Sequence, residues 1–333
     1  MKLLLLALLS CGDKAVDDSG PTDPSDTDTD TDTDTDTDTD TDTDTDTEPA
    51  PVYTVYAPAF HFGAAGGGDG QLSSPRGLVQ GPSGDLFVAD AGNGRITRWT
   101  VEGTWVDSFG EGELTEAKCL EFDGEGRLWV ADGGADRIVV YDEAGTRLFS
   151  WGVSGTGEGQ LDGVYDVALN GEGRVFAADY LNHRVQVFEE DGTFLYGFGE
   201  GGTGPGQLDR PSGIELGPDG RLYVADTLND RVQVFEVDGT FVQSWGGPGA
   251  GPGQLDDPHQ LAFDAGGSLF IADQFNQRIT KLSAAGAPVT TIGSEGAGEG
   301  QMDWPFGVLV LEDGRVFVGD MKNNRIDVFM PVK

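Results

Sequence analysis

Three histidines are the residues of this chain best suited to metal or acid–base chemistry: His61, His183 and His259. A catalytic zinc ion is usually held by three side chains that converge on one point, and imidazole is a preferred ligand. No Ser/His/Asp spacing, phosphate-cradling glycine loop or pair of catalytic carboxylates accompanies the histidines in the sequence. Their chemistry therefore depends on the elements that position them.

One motif recurs six times between residues 52 and 333. An aspartate closing a Val-Ala-Asp-like tripeptide recurs at intervals of 42, 47, 47, 47 and 47 residues, at Asp90, Asp132, Asp179, Asp226, Asp273 and Asp320. An arginine follows five residues after each aspartate, and in five units an asparagine follows three residues after it. Self-similarity at such a period indicates a repeat architecture.

Each unit predicts a small antiparallel sheet. In the unit 206–246, β-prone stretches at 213–216, 221–225, 231–235 and 240–245 are separated by turns that include Asp-Gly pairs. No helical period of useful length appears after residue 52. A four-stranded sheet repeated every ~40–50 residues is typical of a propeller blade. We therefore predict an all-β, six-bladed β-propeller over residues 52–333.

The ends of the repeat region predict how the ring closes. The last unit stops after its third strand, at residues 329–331, so that its fourth strand is missing. Residues 52–63 end in Phe-His-Phe-Gly, which matches the fourth strands that end at Gly199 and Gly246. We expect this N-terminal strand to complete blade 6 and to cover its unpaired edge.

The repeated pattern resembles the NHL repeat, which is seen in full at 211–235. The resemblance covers nearly all of residues 52–333 and implies the propeller fold. It leaves the function open, because the family includes RNA binders, protein-binding modules, a sensor-kinase ectodomain and a zinc-dependent lyase that processes peptidylglycine.

Positions that vary between units are the candidates for a binding site, since a ring has one site but six copies of every repeated residue. We expect the repeated aspartate and arginine to pair, and the asparagine between them to adopt a positive φ. The varied positions at the start of each inner strand and after each aspartate should surround the channel mouth on the top face. The candidate ligand-binding residues are Arg76, Lys118, Cys119, Tyr165, Asp166, Tyr180, His259, Gln260, Phe275, Phe306, Met321 and Lys322.

Blade 2 departs from the pattern. Its preceding top-face loop is five residues shorter than the others, and Glu113, Ala117 and Ala135 replace the usual glutamine, proline and asparagine. One hypothesis is a notch between blades 1 and 2, bordered by Arg76, Lys118 and Cys119, that admits a partner; simple decay of one repeat is the other. Cys119 is either a buried inert thiol or, with a lowered pKa beside Lys118 or Arg76, a reactive one.

The first fifty-one residues predict an export signal and a tether. Residues 1–10 form a short cationic and apolar segment, and residues 8–11 resemble the lipobox of bacterial lipoproteins, which implies lipidation of Cys11. Residues 11–51 include eleven consecutive Asp-Thr pairs and read as a disordered linker. We expect a propeller that is anchored by lipid at the outer membrane or cell surface of a bacterial envelope.

Charge narrows the choice of function. The net charge is −38, of which −14 belongs to residues 1–51 and −24 to residues 52–333. Nucleic acid is therefore an unfavourable partner, and RNA binding is the third choice. We expect a monomeric, non-catalytic propeller without a cofactor that binds a protein, peptide or glycan through its top face. The alternative, implied by the resemblance, is a metal-dependent lyase or hydrolase that uses His259, Asp166 and Tyr165 or Arg76.

Overall fold

Six four-stranded antiparallel sheets make up the part of the chain that the computed structural model describes, residues 55–332. The predicted all-β, six-bladed propeller is confirmed. The expectations for the signal, for Cys11 and for the Asp-Thr linker lie outside the described residues. No helix within residues 55–332 has the length and apolar character needed to cross a bilayer.

The described residues begin with β1 (Tyr56–Phe62) and then form blades 1 to 3 in order. Blade 1 contains β2 (Pro75–Gln80), β3 (Leu86–Asp90), β4 (Arg95–Trp99) and β5 (Trp105–Phe109). Blade 2 contains β6 (Ala117–Phe122), β7 (Arg127–Asp132), β8 (Arg137–Asp142) and β9 (Arg147–Trp151). Blade 3 contains β10 (Val164–Leu169), β11 (Arg174–Asp179), β12 (Arg184–Glu189) and β13 (Phe194–Phe198).

Blades 4 and 5 repeat this order, whereas blade 6 consists of the last three long strands and β1. Blade 4 contains β14 (Pro211–Leu216), β15 (Leu222–Asp226), β16 (Arg231–Phe235) and β17 (Phe241–Gly246). Blade 5 contains β18 (Pro258–Phe263), β19 (Leu269–Asp273), β20 (Arg278–Leu282) and β21 (Pro288–Ile292). A short parallel pair, β22 (Ser294–Glu295) and β23 (Gln301–Met302), precedes β24 (Pro305–Val310), β25 (Val316–Asp320) and β26 (Arg325–Pro331). Short 3₁₀ turns follow the second strands of blades 1 to 4, at Ala91–Asn93, Gly133–Ala135, Tyr180–Asn182 and Thr227–Asn229.

Within residues 55–332, the first strand and the last strand lie side by side in blade 6. Strand β1 pairs antiparallel with β26, from Tyr56 opposite Pro331 to Phe62 opposite Ile326, and forms the outer edge of the sheet. The N–H of Val332 also donates to the carbonyl of Val55 at 2.9 Å. Val55 therefore lies at the end of blade 6 opposite the loop that links β25 and β26.

The hydrophobic core lies between neighbouring blades. Strand β3 reads Leu-Phe-Val-Ala without alternation because both of its faces are buried. Leu86 and Val88 pack toward blade 6, whereas Phe87 and Ala89 pack with residues of blade 2. Each blade is thus an apolar layer between two others, and the ring has no free sheet face in this core.

The repeated aspartate at the end of each second strand fixes the loops of one face, which we call the top face. All six aspartates have no solvent exposure. In blade 4 the carboxylate of Asp226 accepts the Asp209 N–H at 2.6 Å, Asn229 Nδ2 at 2.9 Å and Arg231 Nε at 2.7 Å. The predicted pairing of aspartate with arginine is confirmed, with Nε–carboxylate distances of 2.7–3.4 Å across the six blades.

The prediction for the asparagine was wrong. The residue with positive φ is the next one along the chain, for example Asp230 at +53° and His183 at +56°. Its side chain accepts a backbone N–H from the following blade: Asp230 from Asp257 at 3.0 Å, and His183 from Arg210 at 3.3 Å. The asparagine instead donates to the buried aspartate, because its amide is needed there as a donor.

Blade 6 carries a second carboxylate within this network. Gln186 and Gln233 donate Nε2 to the repeated aspartate of blades 3 and 4, each at 2.9 Å. Asp327 occupies that position in blade 6 beside Asp320. Burial, and then the contact with Asp327, raise the pKa of Asp320 to about 7. We expect one proton, shared between the two carboxylates, to replace the missing amide hydrogen.

Replacing Asp327 by glutamine should stabilise the propeller at pH 8 by about 1–2 kcal/mol, because the amide donates permanently where the wild type must bind a proton. A raised folded-state pKa means that the wild-type pair is most favourable at low pH and that stability is lost as pH rises toward about 7. Urea unfolding at pH 5 and pH 8 measures this difference, with Asp313→Asn, an exposed change in the same blade, as the control. An equal gain at both pH values would contradict the shared proton.

Candidate functional site

The first strands of the six blades surround the central channel, each in contact with its two neighbours (β2, β6, β10, β14, β18 and β24). Each runs from the top face downward, since it follows a top-face loop. The second residues of these strands, and the residues after the repeated aspartates, therefore meet at the channel mouth.

A cavity of about 170 Å³ opens at this mouth. Its walls are formed by side chains from blades 1, 3, 5 and 6: Arg76, Tyr165, Tyr180, Asp257, His259, Gln274, Trp304, Phe306 and Met321. Six of the twelve residues predicted from sequence variation lie in this wall. The comparison of units thus located the cavity, although the structure adds residues to it.

Arginine and lysine at the mouth share one carboxylate. Glu116 accepts Arg76 Nη2 at 2.8 Å and lies 2.7 Å from Lys118 Nζ. Burial, and then the charge of Arg76, lower the pKa of Lys118 to about 8. The Nη1 of Arg76 reaches the hydroxyl of Tyr165 at 3.4 Å, but its buried Nε has no acceptor.

Aromatic rings form a continuous stack across the mouth. Tyr180 stacks on Tyr165 at 4.2 Å between ring centroids, and His259 stacks on Phe306 at 4.4 Å. The guanidinium of Arg76 lies 5.1 Å from the centroid of Phe306, within cation–π range. Burial raises the pKa of Tyr165 to about 12, so its hydroxyl stays protonated at neutral pH.

The two nitrogens of His259 differ in their surroundings. Its Nε2 lies 3.3 Å from Asp257 Oδ2, and its buried Nδ1 has no hydrogen-bond partner among the described residues. When Nε2 carries the ring hydrogen, Nδ1 is an acceptor. The cavity wall then holds a donor, Arg76 Nε, and an acceptor, His259 Nδ1, that no described protein group satisfies. Buried polar atoms normally find partners, so this pair indicates a place for a ligand or water.

Cys119, Asp166 and Gln260 join neighbouring inner strands below the mouth and do not line the cavity. Asp166 accepts the N–H of Ile214 in the next blade at 3.1 Å, as Gln260 accepts that of Val308 at 3.1 Å. The carboxylate that lies beside His259 is thus Asp257. The sequence analysis had suggested Asp166 for this role. Burial, and then Asp166, raise the pKa of the Cys119 thiol, which favours the inert thiol over the reactive one.

Glycine allows the other inner strands to approach. A Cβ on Gly213 would lie 2.3 Å from the carbonyl oxygen of His259, and one on Gly307 would lie 2.1 Å from that of Arg76. Backbone therefore meets backbone at these points, and the channel is narrow just below the cavity.

Phe275 and Lys322 lie on the rim of the top face rather than in the cavity wall. Phe275 is 49% exposed, with its ring centroid 5.6 Å from that of Trp304, and Lys322 Nζ lies 3.6 Å over Trp304. Sequence reasoning missed Glu116, Asp257 and Trp304, which immediately precede the inner strands. The same comparison between units, extended two residues upstream, would have included them.

A tight turn lies where one hypothesis placed a notch between blades 1 and 2. The N–H groups of Glu113 and Leu114 both donate to the carbonyl of Gly110, at 3.0 and 2.9 Å. Arg76 and Lys118 beside it are already engaged by Glu116, and Cys119 is buried. Of the three residues proposed to border the notch, only Arg76 lines the mouth cavity.

A larger recess of about 380 Å³ lies at the outer part of blade 5, beside β21. Its one charged lining residue, Arg278, is already bound to Asp273 and to the carbonyl groups of Ala250 and Gln254. It offers no unsatisfied charge, so we assign the candidate site to the mouth.

The lower channel contains a cavity of about 200 Å³ whose polar lining residues are Glu121, Glu215 and Gln260. Burial, and then Asp166, raise the pKa of Glu121 to about 8; burial, and then Glu121, raise that of Glu215 well above its usual range. Among residues 55–332, no three His, Cys, Asp or Glu side chains are grouped closely enough to hold a metal ion.

Comparison with known proteins supports the NHL family. Residues 72–99 and 208–235 match the family model of the NHL repeat, and the six-bladed fold agrees with that match. A search of curated proteins found no match.

Solved propellers resemble this chain in fold. A streptogramin B lyase has a TM-score of 0.60 and 17% identity, over 82% of this chain and 97% of that one. A catalytically inactive virginiamycin B lyase from Staphylococcus aureus, solved with quinupristin, has a TM-score of 0.58 and 13% identity, over 84% and 100%. A putative gluconolactonase has a TM-score of 0.61 and 16% identity, over 82% and 93%. At these identities the likeness concerns the fold alone.

Replacing Glu121 by glutamine should lower the pKa of Glu215, because a neutral amide removes the repulsion that raises it. Since the folded-state pKa of Glu121 lies above its ordinary value, wild-type stability should fall as pH rises from about 4.5 toward about 8, and the substitution should reduce that fall. Carbon-13 NMR titration of the Glu215 carboxyl checks the first effect and urea unfolding the second. Glu312→Gln, an exposed change, is the control; an unchanged Glu215 pKa would refute the coupling.

Proposed function

We propose that this protein is a non-catalytic propeller that binds a protein, peptide or glycan, with one group of the ligand inserted in the mouth cavity. The observation that carries the proposal is the unsatisfied pair in the wall, Arg76 Nε and His259 Nδ1, set among stacked aromatic rings. A planar or ring-shaped group that accepts one hydrogen bond and donates another complements this arrangement.

The size of the cavity favours a large ligand over a small one. At about 170 Å³ it is smaller than the ~300–1,000 Å³ of most small-molecule pockets. It accommodates one side chain or one sugar ring, so the rest of the ligand would lie on the rim of the top face.

The point at which the described residues begin supports display of this face. Val55 lies at the bottom of blade 6, opposite the mouth. A lipid on Cys11 and an extended Asp-Thr linker, both expectations from the sequence, would then hold the mouth away from the membrane.

The proposal predicts that ligands selected by the full chain, from a displayed peptide library or a glycan array, lose affinity when the two unsatisfied atoms are removed. Arg76→Met and His259→Phe should each weaken binding by about 1–3 kcal/mol, roughly 5- to 150-fold, while keeping the side-chain packing. Arg174→Met, at an outer arginine that contacts Tyr196, is the control. Unaltered affinity in both mouth variants would refute the proposal.

Acid–base catalysis is the second candidate, because Asp257 orients His259 and leaves Nδ1 free as a base. The metal implied by the peptidylglycine-lyase resemblance does not fit this donor set, since His259 and Asp257 have no third ligand among the described residues. We therefore assign no metal to this site.

The two candidates differ in their behaviour toward quinupristin, the compound named with the inactive virginiamycin B lyase. We expect mass spectrometry to find quinupristin intact after incubation with the purified full chain, because the cavity is small and the site holds no metal-binding trio. A product that disappears with His259→Phe would establish the catalytic candidate instead. Elemental analysis of the same sample for zinc and calcium tests the metal independently.

A further inference from the structure

The rim of the top face is apolar in three consecutive blades only. The second residue after the repeated aspartate is exposed in blades 3, 4 and 5, at 46% for Leu181, 46% for Leu228 and 49% for Phe275. Blades 1 and 2 have Gly92 and Gly134 at this position. The blades have the same backbone arrangement at this position, so they differ here in the side chains that they expose on the top face.

Each of these apolar residues adjoins an aspartate. The N–H of Leu181 donates to the carbonyl of Asp162, that of Leu228 to Asp209 and that of Phe275 to Asp256, each at 3.1 Å. Blades 1 and 2 have Ser73 and Thr115 in place of the aspartate. Acidic and apolar side chains thus alternate along an arc of blades 3 to 5, which we call the acidic–apolar arc.

Two of these three aspartates form no ion pair within the described residues, although Arg210, which is exposed, follows Asp209 in the chain. Among the described residues, Asp162 and Asp256 have no ion-pair partner, whereas Asp209 lies 3.0 Å from His183. Burial, and then Asp230, Asp273 and Asp257, raise the pKa of Asp256, so three further carboxylates lie near it.

Blade 6 ends the pattern. Lys322 takes the apolar position there and lies 3.4 Å from Asp303, so the pair is neutral. The acidic–apolar arc therefore ends on one side at the ion pair of Lys322 with Asp303. On the other side it ends at the glycines of blades 1 and 2.

We propose that the acidic–apolar arc binds a polypeptide segment in which lysine or arginine side chains stand beside apolar ones. The proposal rests on the proposed function and selects a class among its ligands. Alternating carboxylates and apolar side chains complement a chain that carries cations and apolar groups together, which a neutral glycan does not offer. Extension over three blades requires a ligand longer than a single amine.

The test uses a short fluorescein-labelled peptide of alternating leucine and lysine, with anisotropy as the readout on the full chain. We expect binding that weakens as salt rises, and none to peptides with glutamate in place of lysine or serine in place of leucine. Leu228→Ser should weaken binding about tenfold, whereas Leu148→Ser, equally exposed at 46% but on β9, should not. Asp256→Asn should weaken binding more than Asp107→Asn, an exposed change on β5.

Equal effects of Leu228→Ser and Leu148→Ser would show unspecific attraction to an acidic protein and would overturn the inference. If no peptide binds while ligands from the library screen still depend on Arg76 and His259, the inference fails and the proposed function stands. If the arc variants lose the peptide while no ligand responds to Arg76→Met or His259→Phe, the inference stands and the role of the cavity fails.

Discussion

A carboxylate with no solvent exposure, bound to an arginine and to backbone N–H groups, holds each blade to its top-face loops. Removing one partner of such a pair leaves an unpaired buried charge and costs about 3–5 kcal/mol. Asp226 shows how the cost is offset: the Asp209 N–H, Asn229 and Arg231 occupy both of its oxygens. The loops that carry variable residues are thereby fixed independently of what those residues are.

This independence explains how much the sequence could predict. Residues that repeat predict the period, the four strands of each unit and the aspartate–arginine pair. Residues that differ between units predict which side chains surround the channel mouth. The direction in which an inner-strand side chain points cannot be predicted from the sequence, because these strands contain a register shift. In blade 3 the shift lies between Val164 and Val167. Asp166 sits within that shift and binds the next blade instead of His259. Asp257 was missed because it lies in the loop before the inner strand, with φ of +58°, and the comparison between units began at the strand itself.

Charge is sorted by depth along the channel. Arg76 and Lys118 lie at the mouth, with Glu116 between them, while Glu121 and Glu215 lie in the lower channel. The shifts in pKa follow this order: burial lowers that of the lysine and raises those of the glutamates, each in the direction of the neutral form. A net charge of −24 over residues 52–333 therefore coexists with two cations at the mouth, which share the carboxylate of Glu116.

The differences between blades separate requirements of the fold from those of binding. Blades 1 and 2 keep the buried aspartate and arginine with glycine two residues after the aspartate, so the fold does not require an apolar side chain there. Leu228 nonetheless exposes apolar surface in blade 4, as do its equivalents on either side. Exposed leucine and phenylalanine at matched positions contribute little to stability, since folding does not remove them from water. These exposed apolar side chains therefore support the proposal that the top face binds a partner, because association would remove them from water.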